Sequence, residues 1–444
     1  MRTSLVVIVG VALALGLASS PGWARSALLA QDDLELVVGD AAKARIAELY
    51  TRFDPDFDAQ RAARRERFDE LGRVLFEREI TGDGLDCSRA IFTEAKWLVS
   101  YTAWWERIDA KLDQLERSFA IDDQSYARRP STDGMFGWCA SEEFIQVEAT
   151  LEQYFLLADA NQQPAVKRKP LDWAQSPEAL VAYLQSLLIA DVARTGEDTR
   201  SRVGGLVSMM AATASRDHVV RLIRETSAMP ADDRPRSGLV IDAIRSFIDA
   251  WQDPETGYWG AWYEGDDGVF KTTDLSITYH IVHARRGHVE RWPELIRTTL
   301  ALRDQAYPFG WESAGRWTNH NNYDLARLFR YGWPDMTEAQ RAEVVETLQT
   351  MLDWSFEETL APNHAGFVLV PELSSSVGAE FYFGVSFLDA VGYFADPPWA
   401  PGLERPAPVG EVCEALIAHA ATLPFDVYAE GAKKKLARGC AWHR

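Results

Sequence analysis

Residues 309–332 read FGWESAGRWTNHNNYDLARLFRYG. A loop rich in glycine and aromatic residues runs into a polar cluster and then into the apolar stretch LARLF. The same order recurs at residues 257–287, GYWGAWYEGDDGVFKTTDLSITYHIVHARRG, and at 366–393, GFVLVPELSSSVGAEFYFGVSFLDAVGY. Each unit is a Gly/aromatic loop, a polar cap and an apolar helix. Between the units lie WPELIRTTLALRDQ and TEAQRAEVVETLQTMLDWSF, with apolar residues at helical spacing. Such alternation is a repeat of helix pairs, in which a loop enters an inner helix and an outer helix returns. Stacked pairs close into a ring or leave an open solenoid. The fold expected is all-α, an α/α toroid.

The first half agrees. RIAELYTRFDPDFDAQRAARRERFDELGRVLFERE and SRAIFTEAKWLVSYTAWWERIDAKLDQLERSF read as long helices, and three further amphipathic stretches follow. Ser88, and Ser176 ahead of Pro177, look like N-caps. Strand alternation is scarce, with GFVLVPEL the best candidate. No linker divides the chain, so a single toroid is expected over 31–400 and a helical tail over 401–444.

Of 444 residues, 47% are hydrophobic, enough for one large core. Residues 1–24, MRTSLVVIVGVALALGLASSPGWA, combine a basic start, a short apolar run and a small-residue cleavage site, the pattern of a signal peptide. No other stretch is long and apolar enough to span a bilayer, so the mature chain is expected in the periplasm or secreted, as a monomer. Four cysteines fit an oxidising compartment. Local pairing predicts Cys87–Cys139 and Cys413–Cys440. No cofactor is called for, and no Cys/His spacing indicates zinc. The net charge of −20 argues against nucleic acid. It also repels an anionic polymer at long range, so such a substrate needs a local basic site.

If 319–331 is a helix, Asn319, His320, Tyr323, Arg327 and Arg330 share one side and Leu325, Leu328 and Phe329 the other. Asn319 and His320 fall in the first turn, where free N–H groups favour an anion. Read plainly, Asn319 is an N-cap, His320 a surface group and Tyr323 a core edge. The combination of amide, imidazole, phenol and guanidinium in a helical repeat weighs the other way.

NHNNYDLARL resembles the Asn-His-x-x-x-Tyr-Asp-Leu pattern of alginate lyases and related uronate-specific polysaccharide lyases built on an α/α toroid. The spacing here is one residue shorter, and the likeness covers this motif and, loosely, the helical second half. The resemblance implies β-elimination on a uronic-acid polymer such as alginate or glucuronan, an anionic polysaccharide partner. Asn319 and His320 would neutralise the sugar carboxylate, with His320 a possible base. Tyr382 or Tyr323 would serve as acid or base. The Arg that several relatives carry shortly before that Tyr is missing here, and Arg316, Arg327 and Arg330 are the substitutes.

Among other groups, His280 is expected on the preceding inner helix facing the cleft, and Glu312 beside the motif. Trp259, Trp262 and Trp311, with Trp317, are candidate stacking platforms for sugar rings. His280 and His283 share a helix face, yet no third metal ligand stands at matching spacing. Glu264, Asp266 and Asp267 supply the paired carboxylates of a glycoside hydrolase, the runner-up, although their Gly-bounded loop reads as a solvated turn. A non-catalytic glycan-binding protein is the reading outside enzymology.

Overall fold

A computed structural model of the chain describes residues 33–81, 86–120, 135, 139–156, 171, 173, 176–211, 234–313, 315–364, 366–369, 376–396, 398–423 and 427–441. The expected signal peptide and the PEL segment of the strand-like run lie outside them.

Helices dominate. In chain order they are α1 (Gly39–Phe53), α2 (Phe57–Ile80), α3 (Asp86–Tyr101), α4 (Trp105–Ser118), α5 (Glu143–Leu156), α6 (Pro177–Leu188), α7 (Val192–Thr195), α8 (Arg200–Ala211), α9 (Arg234–Trp251), α10 (Leu275–Ala284), α11 (Trp292–Ala301), α12 (Asn319–Gly332), α13 (Glu338–Trp354), α14 (Val377–Val391), α15 (Val409–Ala420) and α16 (Val427–Gly439). A single π-helical turn, Ser355–Thr359, follows α13.

The two long helices expected in the first half are each broken. Between α1 and α2, Pro55 removes a donor, and the Asp54 carboxylate accepts from the Asp56 amide at 2.9 Å in a local turn. Between α3 and α4, the Ala103 amide donates to the Gly196 carbonyl at 2.7 Å instead of continuing the helix. Ser176 caps α6 as expected, accepting from the Ala179 amide at 3.1 Å. Ser88 is not a cap. It is buried inside α3 and its hydroxyl accepts from Ser118 at 2.8 Å.

The three repeat units become α10, α12 and α14, each started by a side-chain cap. Asp274 accepts from the Ile277 amide at 2.8 Å, Thr318 from Asn321 at 3.1 Å and Ser376 from Ala379 at 3.0 Å. The cap of α12 is therefore Thr318, not Asn319. In packing, α3 touches α8, α8 touches α10, α10 touches α12 and α12 touches α14; α14 meets α2, which packs on α3. α9, α11 and α13 pack against this succession, contacting α8, α12 and both α12 and α14 respectively.

A small sheet was not anticipated. Strands β1 (Glu35–Val37), β2 (Ile189–Ala190), β3 (Trp262–Gly265) and β4 (Gly268–Thr272) lie in the order β1-β4-β3-β2. β3 and β4 form an antiparallel hairpin with Tyr263 opposite Phe270 and Gly265 opposite Gly268. The loop read as a solvated turn is thus the tip of a hairpin, with two aspartates ahead of a positive-φ glycine. Just before the hairpin, Gly260 lets two backbones meet: a Cβ there would lie 1.9 Å from the Thr272 carbonyl oxygen.

One core runs through α6, α8 and α9 to α16, while α2, α3 and α4 hold a second around Phe68, Phe92 and Leu112. Both expected disulfides are formed. Cys87–Cys139 joins α3 to the segment before α5, and Cys413–Cys440 joins α15 to the end of α16. The expected tail is not an appendage to the packing: α16 lies on α14, and its Ala432, Leu436 and Cys440 belong to the main core. Among the described residues no helix is long and apolar enough to cross a membrane.

Candidate active site

The starts of α8 and α10 and the loop ahead of α12 gather near the end of α3. Arg200, first residue of α8, donates to Tyr101 at the end of α3 at 2.9 Å and forms a two-pronged pair with Asp274, the cap of α10. The Leu275 amide donates to the Pro308 carbonyl at 2.8 Å, tying α10 to the loop ahead of α12. At the far side, the Val377 amide that opens α14 donates to Glu79 of α2 at 3.2 Å. Tyr101 and Lys96 of α3, His280 of α10, Tyr307 of the loop before α12 and His320 of α12 thus come from four segments to one region.

His320 sits in the first turn of α12 with its side chain 36% exposed. Its ring lies against Phe383 of α14, centroids 4.1 Å apart, with Tyr307 at 6.5 Å. Burial pulls its pKa down to about 3, helped by the fields of His280 and Lys96. The ring is therefore uncharged at neutral pH, able to donate from one nitrogen and accept at the other. His280 faces the same region. Its side chain reaches solvent, and the desolvation by its neighbours followed by the Arg200 charge lowers its pKa to about 4.

The amides of the motif do different work. Asn319 is 1% exposed. Its Nδ2 donates to Thr359 at 3.0 Å and its Oδ1 accepts from Ser355 at 3.0 Å, so it clips the start of α12 to the π-helical turn. The expected contact between Asn319 and a sugar carboxylate is not available. Asn321 likewise donates to the Trp311 carbonyl at 2.7 Å and to Ser313 at 3.0 Å, anchoring the preceding loop. Two buried amides hold both sides of the turn that displays His320.

Behind Phe383 lies a group of phenols and cations. Tyr323 is buried. Its ring meets Tyr279 at 5.5 Å, Tyr382 at 6.4 Å and Phe383 at 6.2 Å. Burial raises the pKa of Tyr323 and Tyr382, so both keep their protons. Arg327 stacks on Tyr323 and Tyr331, and Lys435 of α16 lies 5.4 Å from the Tyr323 ring and 5.3 Å from the Tyr382 ring. Burial draws the Lys435 amine down to about 8.

Several expected site residues fall elsewhere. Trp259, Trp262 and Trp311 are buried core side chains, because the loops that carry them fold back under the helices; none offers an open face for a sugar. Trp317 is half-buried and packs edge-on to Trp354 at 6.2 Å. Arg316 and Arg330 are exposed to solvent, away from the buried side of α12. Glu312 serves through its backbone, exchanging bonds with Gln305 and Tyr307 that shape the loop presenting Tyr307. Asp266, at the hairpin tip, pairs with Arg52 at 2.6 Å and is open to water. His283 turns to Tyr331, Nδ1 to hydroxyl 3.2 Å. Among the described residues no three His, Cys, Asp or Glu side chains converge on a point where a metal ion could be held.

Two further groups bear on the site and were not among the sequence candidates. Lys96 of α3 is half-exposed and lies within electrostatic reach of His320; burial first, then the Arg65 charge, pull its amine down to about 8. Asp324 was legible as part of the motif but not as a candidate. No family model, curated protein or solved structure matches this chain.

Proposed function

We propose that the chain is a polysaccharide lyase that cuts a uronic-acid polymer, such as alginate or glucuronan, by β-elimination. The observation that carries this reading is His320: an accessible, uncharged imidazole within the electrostatic reach of the Lys96 amine, resting on a ring, Phe383, that also touches Tyr323 and Tyr382. β-Elimination needs a donor to quench the sugar carboxylate, a base for the neighbouring C–H proton and an acid for the departing glycosidic oxygen. His320 is the donor. Lys96 is the base, since an amine near 8 is partly unprotonated at neutral pH and readily so above it. Tyr382, half-buried and holding its proton, is the acid.

The fold is consistent with that use. The succession of α8, α10, α12 and α14, with other helices packed against it, supports an α/α toroid in which α2 and α3 complete the ring. Two disulfides fit a chain working outside the reducing cytoplasm, in the periplasm or secreted, as a monomer. Mass analysis of the fragments released from uronate polymers tests the reading. Elimination leaves fragments lighter by one water than hydrolysis would. Fragments of hydrolytic mass, or none from any uronate polymer, would overturn it.

A further inference from the structure

We infer that the carboxyl of Asp324 donates its hydrogen to Nε2 of His320, so fixing the imidazole as the tautomer that turns an Nδ1–H toward the cleft. The inference rests on the reading of His320 as the group that meets the substrate carboxylate, and it names what prepares that group.

Asp324 lies one turn after His320 on α12, and its Oδ2 is 3.8 Å from His320 Nε2. The Asp324 side chain is 0% exposed, and neither of its carboxyl oxygens has a hydrogen-bond partner among the described residues. A buried polar group with no partner is costly, so a native site that keeps one has a use for it. The charged form is the more costly, and no lysine or arginine lies within ion-pair distance of this carboxyl among the described residues. Burial accordingly pushes its pKa well up, and the group holds its proton. A protonated carboxyl is a donor, and Nε2 is the nitrogen it faces.

The groups around the pair do not compete for the proton. From α10 come Tyr279 and His280, from the loop before α12 Tyr307, from α3 Lys96, and from α12 itself Tyr323. The phenols keep their protons, and His280 and Lys96 act on the ring through their fields. The separation of 3.8 Å exceeds a hydrogen bond. A small rotation of the ring closes it in the free protein. Asp324 is then a positioning residue: it touches no substrate, but it decides which nitrogen carries the hydrogen.

The test is ring-nitrogen NMR on the full-length, isotope-labelled protein, with the His320 signals identified by their loss in His320→Gln. Wild type is expected to show hydrogen on Nδ1 and a bare Nε2, the reverse of the tautomer that free histidine favours. Asp324→Asn keeps an N–H donor and should keep that tautomer; Asp324→Leu removes it and should revert to Nε2–H. A wild-type ring already in the Nε2–H form, or one unchanged by Asp324→Leu, overturns the inference. Should the leucine variant fail to fold, the wild-type spectrum and the asparagine variant still decide. On a uronate polymer, Asp324→Leu should lose roughly 10–100-fold in kcat with KM little changed, and Asp324→Asn should recover most of it. The NMR readout needs no substrate, so a protein without lyase activity would sink the functional reading while leaving this one to stand or fall by itself.

Discussion

The ring of His320 lies 4.1 Å from that of Phe383, tilted by 32°. α12 supplies the imidazole and α14 the surface it rests on, so the orientation of the ring is a property of two helices together. Phe383→Ala removes that surface. Turnover should fall roughly 10–100-fold, because small misplacements of a reacting group are costly. Stability should fall by about 1 kcal/mol, since Phe383 is only half-buried. Initial rates and a urea titration of the same preparation check both.

Asn319 should behave as a structural residue. Asn319→Ala deletes bonds to Thr359 and Ser355 and leaves their hydroxyls to each other. A loss of about 1–3 kcal/mol is expected, read as a lower melting temperature. Activity per folded molecule should drop far less than in a variant of His320. An Asn319→Ala protein of unchanged stability and no activity would return the amide to the chemistry.

Activity should rise with pH. Lys96 takes a proton only when its amine is uncharged, and burial lowers that amine to about 8. Below that value the fraction able to act falls about tenfold per pH unit; above it the rate levels off. The rising limb of kcat/KM against pH should therefore bend near 8 in wild type. Lys96→Arg, which stays charged across this range, should be inactive throughout. A limb bending near neutrality or below would assign the base elsewhere.

Arg200 and Asp274 join the starts of α8 and α10 in a buried pair, exposed by 5% and 0% respectively. Arg200→Met leaves the Asp274 charge buried without its partner, which should cost about 3–5 kcal/mol. Because Asp274 also caps α10, the double variant Arg200→Met/Asp274→Asn should cost less than the sum of the single changes. Chemical denaturation of the four proteins measures the coupling.

Much of this architecture was legible in the chain. The three Gly/aromatic loops ahead of α10, α12 and α14, and their polar caps, are local signals, and so is the choice of near partners for the four cysteines. The hairpin was not: the Gly-bounded Asp266-Asp267 pair reads as a solvated turn, and the pairing of the short strands on either side of it is not a local signal. The aromatics misled for a physical reason. A tryptophan in a loop looks like a platform until the loop folds back, and Trp259, at 0% exposure, fills core instead. Asn319 and His320 are neighbours in sequence, but one residue is 100° around a helix, and that step separates a buried clip from an accessible ring. Lys96 could not be found from its own segment, because its significance comes from α12, which lies far along the chain.

The most direct trial is to incubate the purified protein and its His320→Ala variant with uronate polymers and follow the ultraviolet absorbance of the unsaturated product. Absorbance should rise with wild type on at least one polymer and stay flat with the variant, whose circular dichroism remains native. Equal rates from the two proteins, or reducing ends released without absorbance, would contradict the account.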